Sequence, residues 1–156
     1  MKIVICVFGV LMLITSSAFA DVIATRTRTV AFTIGDDETV EAAYFIPLNN
    51  SGRTSMSFNT TVANQRVVIF FNAETDVIAG PPDPPVSIDI DILVDGVAVK
   101  PSNVTNAFFI ESVTLTGVTV LSPGIHTVRV RGRLTSGLDS NDHQWSINWS
   151  STIVMK

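Results

Sequence analysis

Three arginines at alternate positions, Arg129, Arg131 and Arg133 in the segment IHTVRVRGRL, are the richest polar feature of this chain. In an extended strand, residues two apart share one face. The three guanidinia therefore stand in a row, with His126, Val128 and Val130 on the opposite face. A guanidinium presents a planar fork of donors that matches carboxylate and phosphate, so the row suits an anionic glycan or a lipid surface. The competing reading is cross-strand pairing with acids such as Asp89, Asp91 or Glu111, which stabilises a solvated face modestly.

The acidic residues suggest a hard cation. Asp89 and Asp91 share a strand face and lie near Asp83 and Asp95 in sequence, and Asp139 and Asp142 fall in the loop DSND. Calcium takes six to eight oxygen ligands, often from such strand ends. Alternation with Ile88, Ile90 and Ile92 already accounts for Asp89 and Asp91, and Asp95-Gly96 is a hairpin turn signal. The DSND loop lacks the downstream glycine and bidentate glutamate of a calcium loop. Calcium is the one ion these side chains could take, and no cofactor is expected.

Aromatic platforms are a common means of gripping sugars. Trp145, Ile147 and Trp149 alternate along the last strand, with the two indoles about 13 Å apart if the strand is regular. The same face continues to Ile153, so burial in the core is the simpler expectation. Trp145, beside the preceding loop, is the better candidate for exposure. His143 lies in that loop with Asp139 and Asp142, whereas His126 falls on an apolar face and reads as an inward histidine with its hydrogen bonds satisfied. No serine has a nucleophile-elbow context, and there is no HExxH, phosphate loop or dinucleotide fingerprint. Two carboxylates facing a cleft would still be compatible with glycosidase chemistry, but no catalytic residue is assigned and an enzyme is not expected.

The elements that carry these residues begin after a leader. Lys2, the apolar run Ile3 to Ile14 and the small residues up to Ala18-Phe19-Ala20 form a signal-peptide pattern over residues 1–20, which places the product outside the cytoplasm, secreted or periplasmic. The only cysteine, Cys6, lies inside that leader. No later run is long and apolar enough to cross a bilayer as a helix. With ten Lys or Arg against fourteen Asp or Glu, the chain carries a formal charge of −4. It lacks the basic surface needed to hold a nucleic-acid backbone.

Residues 21–156 read as a single domain. Ala24–Ile34, Val40–Ile46, the stretch around Met56 and Phe58, Ser87–Val94, Val113–Leu121, Ile125–Leu134 and Gln144–Val154 alternate or are β-branched between turn residues. Gln65–Ala73 is the most apolar stretch and reads as a central strand buried on both faces. Ile78–Val86, with four prolines, reads as a stiff crossover. Nine to ten short strands with turn signals about every ten residues predict an all-β fold, an antiparallel β-sandwich of the jelly-roll kind. The segments RVVIFFNAE, IDILVDGVAVKP and SPGIHTVRVRGRL together resemble uncharacterised secreted bacterial β-sandwich domains. That resemblance implies a fold and no function.

The function expected from these features is a non-catalytic exported module that binds a surface, glycan or protein. Its contact loops would be Ile78–Val86 and Thr135–His143, since loops at sandwich ends carry recognition. The alternative is a structural subunit that associates with copies of itself, using Arg26, Arg28 and the apolar strand near Phe70.

Overall fold

The computed structural model of the protein describes residues 21–34, 43–78, 87–107, 111–135 and 144–156. The leader, the proline-rich crossover from Ala79 and the loop carrying Asp139, Asp142 and His143 lie outside the described residues. The strands are β1 (Val22–Arg28), β2 (Phe32–Ile34), β3 (Ala43–Phe45), β4 (Met56–Thr60) and β5 (Gln65–Ile78). They are followed by β6 (Ser87–Val94), β7 (Val97–Ala107), β8 (Glu111–Leu121), β9 (Gly124–Thr135) and β10 (Gln144–Met155). They form one antiparallel sheet in the order β1-β10-β5-β8-β7-β6-β9-β3, with β2 added to β10 and β4 to β9, curled into a half-barrel.

The continuous pairing of the sheet breaks along β7. This strand pairs with β6 through Val97 and Ala98, leaves it over the next residues and rejoins it at Asn103. In the gap, Lys100 pairs with Val118 of β8, joining the two halves of the sheet. Pro101, which has no N–H to donate, falls in this gap and cannot sustain a continuous ladder. At the same seam Gly117 of β8 lies directly under the Val99 side chain. Only a residue without a side chain fits there.

The core fills the concave side of the curl. Val67, Ile69, Phe71 and Ala73 of β5 meet Val113 and Leu115 of β8, Ile90, Ile92 and Val94 of β6, Val128 and Val130 of β9, and Met56 and Phe58 of β4. Each fully buried side chain of this size contributes roughly 1.5–3 kcal/mol before chain entropy is set against it. β5 is central, between β10 and β8, but it is fully buried on one face only. Val68, Phe70 and Asn72 are half-buried on the convex side, where no described strand lies over the sheet.

Two further departures from the sequence reading concern β1 and β10. The expected first strand, Ala24–Ile34, breaks into β1 and β2, because Arg28 turns inward and its guanidinium takes the carbonyls of Val30 and, at 2.7 Å, Ala31. Arg28 also lies over the Phe32 ring, 5.1 Å from its centroid, and its burial pushes the guanidinium pKa down. Arg26 on the same strand is exposed.

The larger departure is in β10. Its register with β5 slips by one residue between Ile147, opposite Thr75, and Trp149, opposite Glu74. Asn148 is the extra residue of a β-bulge, and a bulge flips every later side chain to the other face. Trp149 is therefore 39% exposed rather than in the core, and Ile153 is half-buried. Ser150 and Thr152 point inward in their place, together with Val154. Among the described residues the hydroxyls of Ser150 and Thr152 have no hydrogen-bond partner, which costs about 1–3 kcal/mol for each buried hydroxyl left unpaired. The expectation that Ile147, Trp149 and Ile153 share a core face fails at this single inserted residue.

Candidate binding site

The arginine row lies on the convex face of β9, and its three members have different surroundings. β9 pairs with β6 so that Arg131 faces Asp91, Arg133 faces Asp89 and Arg129 faces Leu93. Arg131 donates through Nε (3.2 Å) and Nη2 (2.5 Å) to Asp91 Oδ2. Arg133 donates through Nη2 to Asp89 Oδ2 at 3.3 Å. Such exposed or half-exposed pairs contribute up to about 1 kcal/mol each. Asp89 and Asp91, two of the aspartates considered for calcium, thus answer arginines. Among the described residues no three His, Cys, Asp or Glu side chains converge on a common point.

Arg129 has an apolar cross-strand neighbour, and among the described residues no carboxylate pairs with it. Its guanidinium lies instead over the ring of Phe45, 4.8 Å from the centroid. Phe45 comes from β3, which pairs with the other edge of β9 at Arg131. Tyr44 and Ile46 turn toward the core, so strand alternation turns Phe45 outward, 40% exposed. A stack of this kind holds the guanidinium by its face and leaves its edge, with the N–H donors, open to solvent.

This stack forms one wall of a groove of about 400 Å³ lined by Phe45, Leu93, Asp95, Gly96, Thr127, Arg129 and Arg131. The floor is the β6–β7 turn. Asp95 (φ 51°) and Gly96 (φ 83°) both adopt left-handed backbone, as a two-residue primed hairpin turn requires. Two bonds with backbone N–H donors tie the turn to β9, Asp95 N–H to the Thr127 carbonyl at 2.9 Å and Thr127 N–H to Asp95 Oδ1 at 2.8 Å.

Behind the turn, Asp95 Oδ2 accepts from His126 Nδ1 at 2.7 Å. His126 Nε2 faces the Ser122 carbonyl at 2.9 Å and the Thr60 hydroxyl at 3.1 Å. Thr60 Oγ1 donates to that same carbonyl at 2.5 Å. A carbonyl only accepts and the hydroxyl proton is already engaged, so Nε2 must donate. Nδ1 faces a carboxylate and must donate as well. His126 is buried against Phe58 with ring centroids 5.6 Å apart, and with acceptors facing both ring nitrogens its surroundings favour the imidazolium. Its pKa is raised by the Asp95 hydrogen bond first and the Ser122 carbonyl second, against desolvation. Partial burial pushes the Asp95 carboxyl up, but the His126 bond, the Thr127 amide and the imidazolium charge outweigh it, so its pKa is lowered. The order Asp95–His126–Thr60 is that of a nucleophile triad, yet the ring offers no lone pair to Thr60. The arrangement ties strands together. His126 is inward and satisfied, as its apolar strand face implied.

The sequence-derived residues therefore divide. Arg129 and Arg131 line the groove, whereas Arg133 lies further along the row with Asp89. Trp145 lies in β10, its backbone opposite Val77 and Ile34, and its side chain is outside the described residues, as are His143, Asp139 and Asp142. Phe45 was not singled out from sequence, although alternation with Tyr44 and Ile46 signals that it faces outward.

No family model matches the chain, and no curated protein matches it. Among solved structures, the chain is similar to the EclA C-terminal domain, described as a sugar-binding protein, at 13% identity and a TM-score of 0.47, covering 80% of this chain and 77% of that one. It is also similar to dimeric latent PorU from Porphyromonas gingivalis, at 6% identity and a TM-score of 0.36, covering 89% of this chain and 14% of that one. At these scores the site stands on its own geometry.

Proposed function

We propose that the chain is an exported, non-catalytic binding module and that the groove on β9 takes a glycan bearing a carboxylate or another anionic group. The observation that carries this reading is the Arg129–Phe45 stack. Its neighbours in the row are neutralised by Asp91 and Asp89, while Arg129 keeps a donor edge open above an aromatic ring in a concave site. An acidic sugar would set its anionic group on the Arg129 edge and its ring against Phe45, with hydroxyls reaching Asp95 and Thr127. Export rests on the leader pattern of residues 1–20, and the curl of the sheet reads as a two-layered sandwich of the jelly-roll kind.

The test is affinity electrophoresis and calorimetry against uronic-acid and sialylated glycans. Binding should weaken with salt, because exposed charge pairs are screened. Arg129→Ala and Phe45→Ala should each lose about tenfold or more, roughly 1.4 kcal/mol, with melting temperature held. Binding that is indifferent to both substitutions would sink the groove assignment.

Self-association is the second reading. It has one favourable observation, the half-buried row Val68, Phe70, Ile153 and Met155 on the convex face of β5 and β10. Absolute mass by light scattering separates the two, because a groove-bearing binding module needs no second copy.

A further inference from the structure

The bulge in β10 places an aromatic ring where the sequence period would not. Trp149 stands on the convex face of the other half of the sheet, remote in the strand order from β9. Its indole is fixed by an N–H···O bond from Nε1 to Glu74 Oε2 at 3.3 Å. The other carboxylate oxygen, Oε1, accepts from Asn148 Nδ2 at 2.9 Å, so the bulged residue itself braces the same carboxylate. In the next cross-strand row, Ser151, Asn72 and Thr114 are neighbours, and Thr114 Oγ1 donates to Asn72 Oδ1 at 2.9 Å.

Bulges commonly re-aim a side chain next to a functional site. This one also works against the core, since it buries two hydroxyls without partners among the described residues and exposes an indole. Departures from local consistency of this kind are expected at functional or strained sites.

We propose that Trp149, Glu74, Asn72 and Thr114 form a second binding platform, separate from the β9 groove, for an uncharged sugar ring. Trp149 offers one face to the ring. Each oxygen of Glu74 keeps an acceptor lone pair beyond the bond it already makes, and Asn72 keeps its amide hydrogens as donors. Sugar hydroxyls both donate and accept, and they match that pairing. Glu74 and Asp76 fall on the same face of β5, and their charges repel an anionic ligand. An apolar partner would strand the Glu74 carboxylate. A neutral saccharide satisfies all three conditions. Across β10, β5 and β8 the platform spans about 10 Å, suited to a short run of a polysaccharide.

The test is affinity electrophoresis of the purified protein through gels containing neutral β-glucan, xylan, mannan or chitin oligomers, with tryptophan fluorescence followed in solution. At least one of these should retard the protein and shift its emission. Trp149→Ala should lower that affinity at least about tenfold, Trp149→Phe should keep part of it, and Glu74→Gln should weaken it. Arg129→Ala should leave it unchanged, so failure here and failure of the β9 groove are distinguishable. Retention of full affinity by a folded Trp149→Ala protein would overturn the proposal. So would a panel in which no neutral glycan binds, or a dimer that Trp149→Ala converts to monomer.

Discussion

Gly117→Ala should lower the melting temperature by roughly 5–10 °C, the equivalent of about 1–3 kcal/mol. The reason lies at the seam. A Cβ on Gly117 would collide with Val99 Cγ2, and Val99 Cβ at 3.5 Å and Ile92 Cδ1 at 3.6 Å already pack around the position. A branched side chain cannot swing its methyl away as a lysine tip can. The substitution must therefore part β7 from β8 where Lys100 and Val118 hold the two halves of the sheet together. Val99→Ala alone should also destabilise, through the cavity it leaves. The double variant should be more stable than the sum of the two losses predicts, by about 1 kcal/mol or more, since each change relieves the other. Strict additivity in calorimetric melts would show that the Val99–Gly117 contact does not govern the seam.

This seam also shows where sequence reading stops. The strands themselves were legible, because alternation in Val67, Ile69 and Phe71, or in Val128 and Val130, reports the buried face directly. The Asp95-Gly96 turn was legible because its left-handed backbone admits few residue types. How the sheet curls depends on a break in pairing that spans β6, β7 and β8, and no single segment encodes it.

The candidate sites were only partly visible for the same reason. The arginine row and its pairing acids could be read from spacing alone. Which arginine stays unpaired depends on register between β6 and β9, which sets Leu93 rather than an acid opposite Arg129. Trp149 was misplaced because period-two reasoning has no term for a bulge. Its only sequence signal is the polar pair Ser150 and Thr152 at positions that an unbroken period would send outward, and that pattern looks ordinary until the slip at Asn148 is known.

Stability and groove binding should both depend on pH through His126, and His126→Leu should remove most of that dependence. The imidazolium of His126 has a raised pKa, so the folded state binds its proton more tightly than the unfolded chain, whose histidine titrates near 6.5. The stabilisation is therefore fully present below about pH 6.5 and is lost as pH rises through the higher folded value. Asp95 has a lowered pKa, so its share is present above the unfolded value near 3.8 and is lost as pH falls through the lower folded value. The two shifts describe one interaction seen from both partners, and a single plateau from about pH 4 to 6.5 is expected, with stability declining on each side. His126→Leu deletes bonds to Asp95 and Ser122 together with the contact to Thr60, a loss of about 2–3 kcal/mol at pH 6. It should leave the melting temperature nearly flat from pH 6 to 9. Asp95 and Thr127 line the groove that the clamp supports, so anionic-glycan affinity should fall along the same alkaline limb in the parent protein. If affinity stays constant while stability falls, the clamp supports the fold and leaves the groove untouched. If the parent shows no alkaline loss of stability at all, His126 is not held as the imidazolium.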